Sequence, residues 1–132
     1  MTLRSTSTLR VRYAETDQMG VAWHGAYLAW FEVGRTDLLR GNGLSYRELE
    51  TQGLRLPVIE LATRFSRPAL YDDVLEIRTR VASVSGARVS FAYEVFRQGT
   101  PGALATGSTA HAAVDPQGRP MRLPASLRQL LK

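Results

Sequence analysis

From Ala22 to Arg40 the chain carries a helix with almost no polar side, and that segment constrains the fold more than any other. Tyr27, Leu28, Phe31, Leu38 and Leu39 recur at helical spacing, while Trp30 and Val33 widen the stripe until little is left for water. About nineteen residues make a helix of roughly 28 Å, long enough to cross a small domain. The GNG run at 41–43 supplies the glycine stop expected after its last turn. A helix apolar over most of its circumference has to be enclosed, so the rest of the chain must provide a surface that surrounds it.

That surface is written with a period of two. STLRVRY alternates Leu9, Val11 and Tyr13 with Arg10 and Arg12, as a half-buried strand does. A short helical piece follows the long helix at Ser45 to Thr51, where Ser45 caps and Glu48 stands three residues on, as in a capping box. From Leu56 onward Ile59, Leu61, Thr63 and Phe65 share one face until SRPALYDD breaks the pattern. Leu75, Ile77, Thr79, Val81 and Ser83 then oppose Glu76, Arg78 and Arg80, and beyond SGA the residues Val89, Phe91, Tyr93 and Val95 alternate with Ser90, Ala92 and Glu94. RQGTPG is a further turn, ALATGSTAHAAV a small-residue strand, and DPQGRP a loop into a last helix, PASLRQLLK. The expected order is strand, long helix, then four strands in hairpin succession, hence antiparallel with one apolar face. Gly34 agrees: a mid-helix glycine costs about 1 kcal/mol relative to alanine and is best explained by close approach of helix to sheet. The expectation is an α+β protein of the hot-dog fold, a five-stranded antiparallel sheet wrapped round a long central helix, as a single domain over 1–132. A chain of this length buries about two-thirds of its surface on folding, so a core needs no covalent staples.

Composition removes whole classes of chemistry. There is no cysteine, which excludes a disulfide framework, a Cys-ligated zinc or iron–sulfur site and a thiol nucleophile. The only histidines are His24 and His111, too few for a His-rich metal site, and no metal or redox cofactor is implied. MTLRSTSTLRVRY lacks the apolar run of a signal peptide and no segment has the length to span a bilayer, so a soluble cytoplasmic protein without membrane insertion is expected. The net charge of +5 raises the question of nucleic acid. Lys132 is the only lysine, the arginines are scattered without a cluster, and no nucleic-acid motif accompanies them, so no nucleic-acid partner is expected. A small phosphate-bearing ligand suits the arginines through bidentate pairing, with Arg67 and Arg88 beside turns as candidates.

The chemistry concentrates in the loop ahead of the long helix. Asp17 lies just before the helix start, where the dipole favours an ionised carboxylate able to act as general base or as nucleophile. Immediately ahead of His24 stands GVAW, with no Ser, Thr, Asp or Asn to cap the helix, so its first N–H groups are candidates for an oxyanion hole. A helix starting nearer Asp17 would instead make Asp17 the cap. Gly25 would let a substrate approach the backbone closely. His24 has two readings, a group that bonds the substrate oxygen, orients Asp17 or positions water, and a satisfied core histidine. Glu32 and Arg35, three residues apart, read as an ion pair supporting the helix. Asp72 and Asp73 read as solvated turn residues, and His111 as packing or a pocket wall.

These residues carry a resemblance. YAETDQMGVAWHGAYLAWFEVGRTDLLR is similar to the helix-leading motif of the bacterial 4-hydroxybenzoyl-CoA thioesterase family, which includes the envelope-associated acyl-CoA thioesterases. Tyr13, Thr16, Asp17, Gly20, Val21, His24, Tyr27, Phe31, Glu32, Arg35 and Leu39 match, and the likeness continues through SRPALYDDVLEIRTRV, GARVSFAYEVFR, ATGSTAHAAVD and GRPMRLP. The resemblance implies an acyl-CoA thioesterase with Asp17 as catalytic carboxylate and the first amides of the helix, those of His24 and Gly25, polarising the thioester carbonyl. It assigns Tyr13, Thr16, Gly20, Val21 and Tyr27 to substrate binding. It also implies a homodimer whose sheets pair, often doubled to a homotetramer, with each site between subunits. Ala26 stands where relatives often place asparagine, and Gln18–Met19 replaces small residues before Gly20. A dehydratase of 3-hydroxyacyl thioesters on the same fold would want its His and acid on distant elements, whereas here they share one short loop. A non-catalytic acyl-CoA-binding module on this fold is the alternative from another class.

Overall fold

In the computed structural model, which describes residues 3–132, the chain begins with strand β1 (Arg4–Arg10). Alternation alone carries this strand on to Tyr13, but the chain turns earlier, into a 3-10 turn at Tyr13–Glu15. The cause is local: the Glu15 carboxylate accepts the Arg12 backbone N–H at 2.8 Å and pulls the chain out of the sheet. The helix α1 (His24–Gly41) follows, and its stop is Gly43, at φ +83°, where no Cβ strains the left-handed backbone. Leu44 N–H then bonds back to the Leu39 carbonyl at 2.9 Å, closing the end. In α2 (Tyr46–Thr51) the Ser45 hydroxyl accepts the Glu48 N–H at 3.1 Å, the serine half of the expected box.

Strands β2 (Val58–Phe65), β3 (Val74–Val84), β4 (Arg88–Arg97) and β5 (Ala105–Ala112) complete one antiparallel sheet in the order β1-β3-β4-β5-β2, and α3 (Ala125–Leu131) closes the chain. Hairpin succession holds for β3, β4 and β5 but not for β2, which pairs with β5 at the far edge. The eight residues between β2 and β3 are too many for a tight turn. Instead Ser66 and Arg67 N–H both bond to the Leu104 carbonyl, holding the corner against the β4–β5 connection while the chain crosses the sheet.

α1 lies on β1, β3 and β4. Gly34 sits where a Cβ would run into Thr79 Oγ1 and Ile77, so the close approach inferred from this glycine is present. Phe31 stacks on Tyr93 with ring centroids 4.4 Å apart, over Gly107 of β5. Leu75, Ile77, Val81, Val89, Phe91 and Val95 supply the rest of the floor. Two expectations of burial are corrected here. The face of β2 bearing Ile59, Leu61 and Phe65 is 41–50% exposed, because α1 packs on β1, β3 and β4 and meets β2 through Tyr27 against Phe65, and Leu28 and Val33 leave α1 with an apolar exposed side.

Among the polar residues, Glu32, Arg35 and Asp73 differ from expectation, while His111 is packing as expected. Glu32 and Arg35 form no ion pair: Glu32 points outward, while the Arg35 guanidinium lies against the buried hydroxyls of Tyr46 and Tyr93. His111 is fully buried and its roles are fixed by its partners. Nδ1–H donates to the Leu56 carbonyl at 2.9 Å, Nε2 accepts from Thr109 at 2.8 Å, and Thr109 accepts from Tyr93 at 2.6 Å. Burial holds the imidazole below its ordinary pKa, so it is a neutral packing residue. Asp73 is not a solvated turn residue: it accepts Leu70 N–H at 2.8 Å and pairs with Arg97 at 2.9 Å, whereas Asp72, at φ +72°, stays exposed.

Candidate active site

Residues 15–23 form a small hairpin ahead of α1. Trp23 N–H bonds to the Glu15 carbonyl at 3.0 Å, Thr16 and Ala22 form an antiparallel bridge, and Asp17 N–H bonds to the Val21 carbonyl at 2.9 Å. Gly20, at φ +79°, makes the tip. Asp17 therefore caps its own turn and not α1: its Oδ1 accepts Met19 N–H at 2.9 Å and, more weakly, Val21 N–H at 3.4 Å. Oδ2 makes no hydrogen bond among the described residues, and the side chain is exposed. An acceptor fixed through one oxygen and free at the other can take a proton from water or attack a carbon.

The second arm runs straight into α1. Its N-cap is Trp23, which has no acceptor, so no side chain caps the helix. Ala26 N–H turns back to the Trp23 carbonyl at 3.0 Å, which leaves the His24 and Gly25 N–H groups without a partner among the described residues. Gly25 plays a different part from the one expected of it. The space a Cβ would fill is occupied by the Trp23 indole, folded over the first turn, so the glycine admits the chain's own ring. His24 is exposed, ring edge to ring with Trp23 at 5.4 Å, and is not a core histidine.

A cavity of about 290 Å³ opens beside this helix start. Ala22, His24 and Tyr27 form one wall, and Phe65 with the Ser66–Arg67–Pro68 corner forms the other. Ala22 N–H to the Ala69 carbonyl, 2.8 Å, and a bridge between Val21 and Leu70 fasten the two walls together. Tyr27 is buried with its ring 4.9 Å edge-on to Phe65, and its hydroxyl accepts Ala69 N–H at 3.4 Å. Burial raises the phenol's pKa, and its hydroxyl proton has no acceptor among the described residues. A larger hollow of about 790 Å³ lies on the outer face of the sheet, between arginines including Arg64, Arg78 and Arg80. Its floor is the paired middle of the sheet, where the backbone amides are used in the ladder, so it has no open amide pair like that at the start of α1.

Among the residues singled out by sequence, His24, Tyr27 and Arg67 line the cavity, while Thr16, Asp17, Gly20 and Val21 sit in the hairpin beside it. Asp17 does not line the cavity wall. Thr16 donates to the Tyr13 carbonyl at 2.7 Å, and Tyr13 is 79% exposed, ring to ring with Tyr71. Arg67 spends Nη2 on the carbonyls of Pro101 and Gly102. Arg88 begins β4, whereas Arg97 at its other end touches Pro68 of the cavity, so about ten residues of strand, roughly 30 Å, separate Arg88 from this site. Sequence reasoning missed Phe65 and Pro68 as walls, and Glu15, whose partner Trp30 lies in the middle of α1. A glutamate in a polar loop carries no local sign of burial.

Comparison with known proteins covers most of the chain. The profile of the thioesterase-like superfamily matches residues 11–131. A putative acyl-CoA thioesterase, YneP, from Bacillus subtilis is 34% identical over 112 residues, 84% of this chain and 80% of the relative. Among solved structures, a hypothetical protein from Thermus thermophilus superposes with a TM-score of 0.89 at 40% identity, over 97% of this chain and 95% of that one. A DHNA-CoA thioesterase from Staphylococcus aureus does so with a TM-score of 0.87 at 36% identity, over 91% and 80%.

Proposed function

Since the chain belongs to the thioesterase-like superfamily and is a thioester hydrolase of the hot-dog fold, we propose that it hydrolyses acyl-CoA thioesters in the cytoplasm, with Asp17 activating water and the His24 and Gly25 amides holding the oxyanion. The observation that carries this reading is the pair of unpartnered N–H groups at the uncapped start of α1, at the rim of a cavity, with the free Asp17 oxygen on the hairpin that leads into that helix. As general base, Asp17 Oδ2 takes a proton from water as the oxygen adds to the thioester carbon. Negative charge then collects on the carbonyl oxygen, where helix-start N–H groups stabilise it. The C–S bond breaks, the thiolate leaves with the electron pair, and the proton passes from Asp17 to the sulfur. As nucleophile, Asp17 would form a mixed anhydride that water then opens to the same products. Tyr27 O–H and the Phe65 ring face the acyl group.

The site reads as half of a shared one, and the proposal includes a homodimer, doubled in turn to a tetramer. The β2 edge exposes Ile59, Leu61 and Phe65, and the accessible surface of one protomer, 7732 Å², exceeds by about a tenth what a compact chain of this size shows. Antiparallel pairing of two β2 edges would cover that face. It would also bring the Arg88 end of one copy toward the cavity of the other, where coenzyme A phosphates need cations.

Thiol release from a panel of acyl-CoAs by wild type and Asp17→Asn tests the reading. A fall in kcat of about 10²-fold or more in a folded variant is expected of a general base or nucleophile. If neither protein releases thiol although both bind acyl-CoA, the chain is a binding module and the proposal fails. A fully active monomer in sedimentation would remove the shared-site part.

A further inference from the structure

We propose that Glu15 is a positioning residue which sets the distance between the Asp17 carboxylate and the open start of α1; this rests on the thioesterase reading above. Glu15 is 7% exposed, and it is the carboxylate on which the hairpin and the helix converge. Oε1 accepts Arg12 N–H at 2.8 Å. Oε2 accepts the Trp30 indole Nε1–H at 3.0 Å and the Arg12 guanidinium at 3.3 Å. Its backbone carbonyl takes Trp23 N–H, the last amide before the unpartnered pair.

The geometry follows from these bonds. Asp17 stands on the first arm of the hairpin and His24 follows the second, so the pairings between arms set their separation. Ala22 N–H to the Ala69 carbonyl and the Val21–Leu70 bridge hold the second arm to the neighbouring loop, while the first arm, which bears Asp17, is bonded to the body of α1 through the Glu15 side chain. Trp30 is the seventh residue of α1, about one and a half turns below the amides, and is itself 2% exposed beside Tyr27, 4.5 Å ring to ring. A bond from that indole to Glu15 fastens the hairpin base to a second, rigid point on the same helix. Two points of attachment fix an angle that one cannot, and small displacements of a base from its target are costly in rate.

The test compares Glu15→Ala, Trp30→Phe and the double variant, each assayed below its melting temperature. We expect Glu15→Ala to lower kcat about tenfold, while the Kd for a non-hydrolysable acyl-CoA analogue stays within about twofold. The double variant should be little worse than the worse single, because both changes remove the Glu15–Trp30 bond. Glu15→Gln, which keeps an acceptor for the indole, should recover part of the loss. In ¹H–¹⁵N spectra, Glu15→Ala should move the Met19, Val21, His24 and Gly25 amides along with the Trp30 indole. Additive losses, or an equal fall in affinity and kcat, would reduce Glu15 to a general stability residue. The spectra decide the case where wild type proves inactive: that result removes the thioesterase reading, whereas unmoved His24 and Gly25 amides remove the positioning role.

Discussion

The two helices that follow loops in the first half of the chain start in the same backbone conformation and end in opposite states. Ser45 before α2 has φ −128° and ψ 146°, and its hydroxyl satisfies the Glu48 amide. Trp23 before α1 has φ −76° and ψ 154°, equally extended, and its side chain satisfies no amide. The difference lies in the side chain and in what else supports each helix. α2 has six residues and one buried side chain, Leu49, so its first turn depends on the cap. α1 has eighteen residues with Tyr27, Trp30, Phe31, Leu38 and Leu39 in the core, and burial on that scale dwarfs the roughly 1 kcal/mol a cap contributes. A helix held by its core can leave its amides open to a ligand.

The sharpest way to break this contrast is to give α1 the cap it lacks. Trp23→Asp should place a carboxylate on the first-turn amides and repel a developing oxyanion. A loss in kcat of about 10²-fold is expected, the cost of removing an oxyanion donor. Steady-state thiol release with a thermal melt checks it, and a closed but fully active helix start would refute the assignment of these amides. The converse change at the other helix should touch stability alone. Ser45→Ala should cost about 1 kcal/mol in urea unfolding, with kcat unaltered.

The smallest effect concerns acid. Burial pushes the Glu15 carboxyl upward, but the bonds from the Arg12 amide, the Arg12 guanidinium and the Trp30 indole outweigh it and hold it below the ordinary value of 4.5. A carboxyl whose folded pKa is depressed adds stability above its unfolded pKa, and that contribution drains away as pH falls through the folded value. The difference in melting temperature between wild type and Glu15→Gln should therefore be constant near neutrality and shrink below about pH 4.5. A difference that stays flat into acid would show that the ionised form has no special hold on Trp30.

Much of this was legible in the residues. Alternation marked β3 and β4 because their inner faces are buried along their length, and Gly34 announced the helix–sheet contact because nothing larger fits under Thr79. The missing cap at GVAW was visible because N-cap preference is a property of one residue and its next three amides. What escaped were pairings over long separations. Ile59, Leu61 and Phe65 read as a buried face, since alternation tells which residues share a side and not whether anything covers it. Arg35 read as Glu32's partner, since spacing on a helix says nothing of the tyrosines brought against it from α2 and β4.

By itself the sequence determined the elements, the antiparallel sheet, the uncapped start of the long helix and the carboxylate ahead of it, because periodicity, capping and turn chemistry act within a few residues along the chain. Only the tertiary structure decided that β2 crosses to the far edge, that Trp23 and not a substrate fills the space at Gly25, and that Glu15 reaches fifteen residues forward to Trp30. Those outcomes depend on which surfaces meet once the chain is compact, and no local pattern encodes the position of a partner that folding brings from elsewhere.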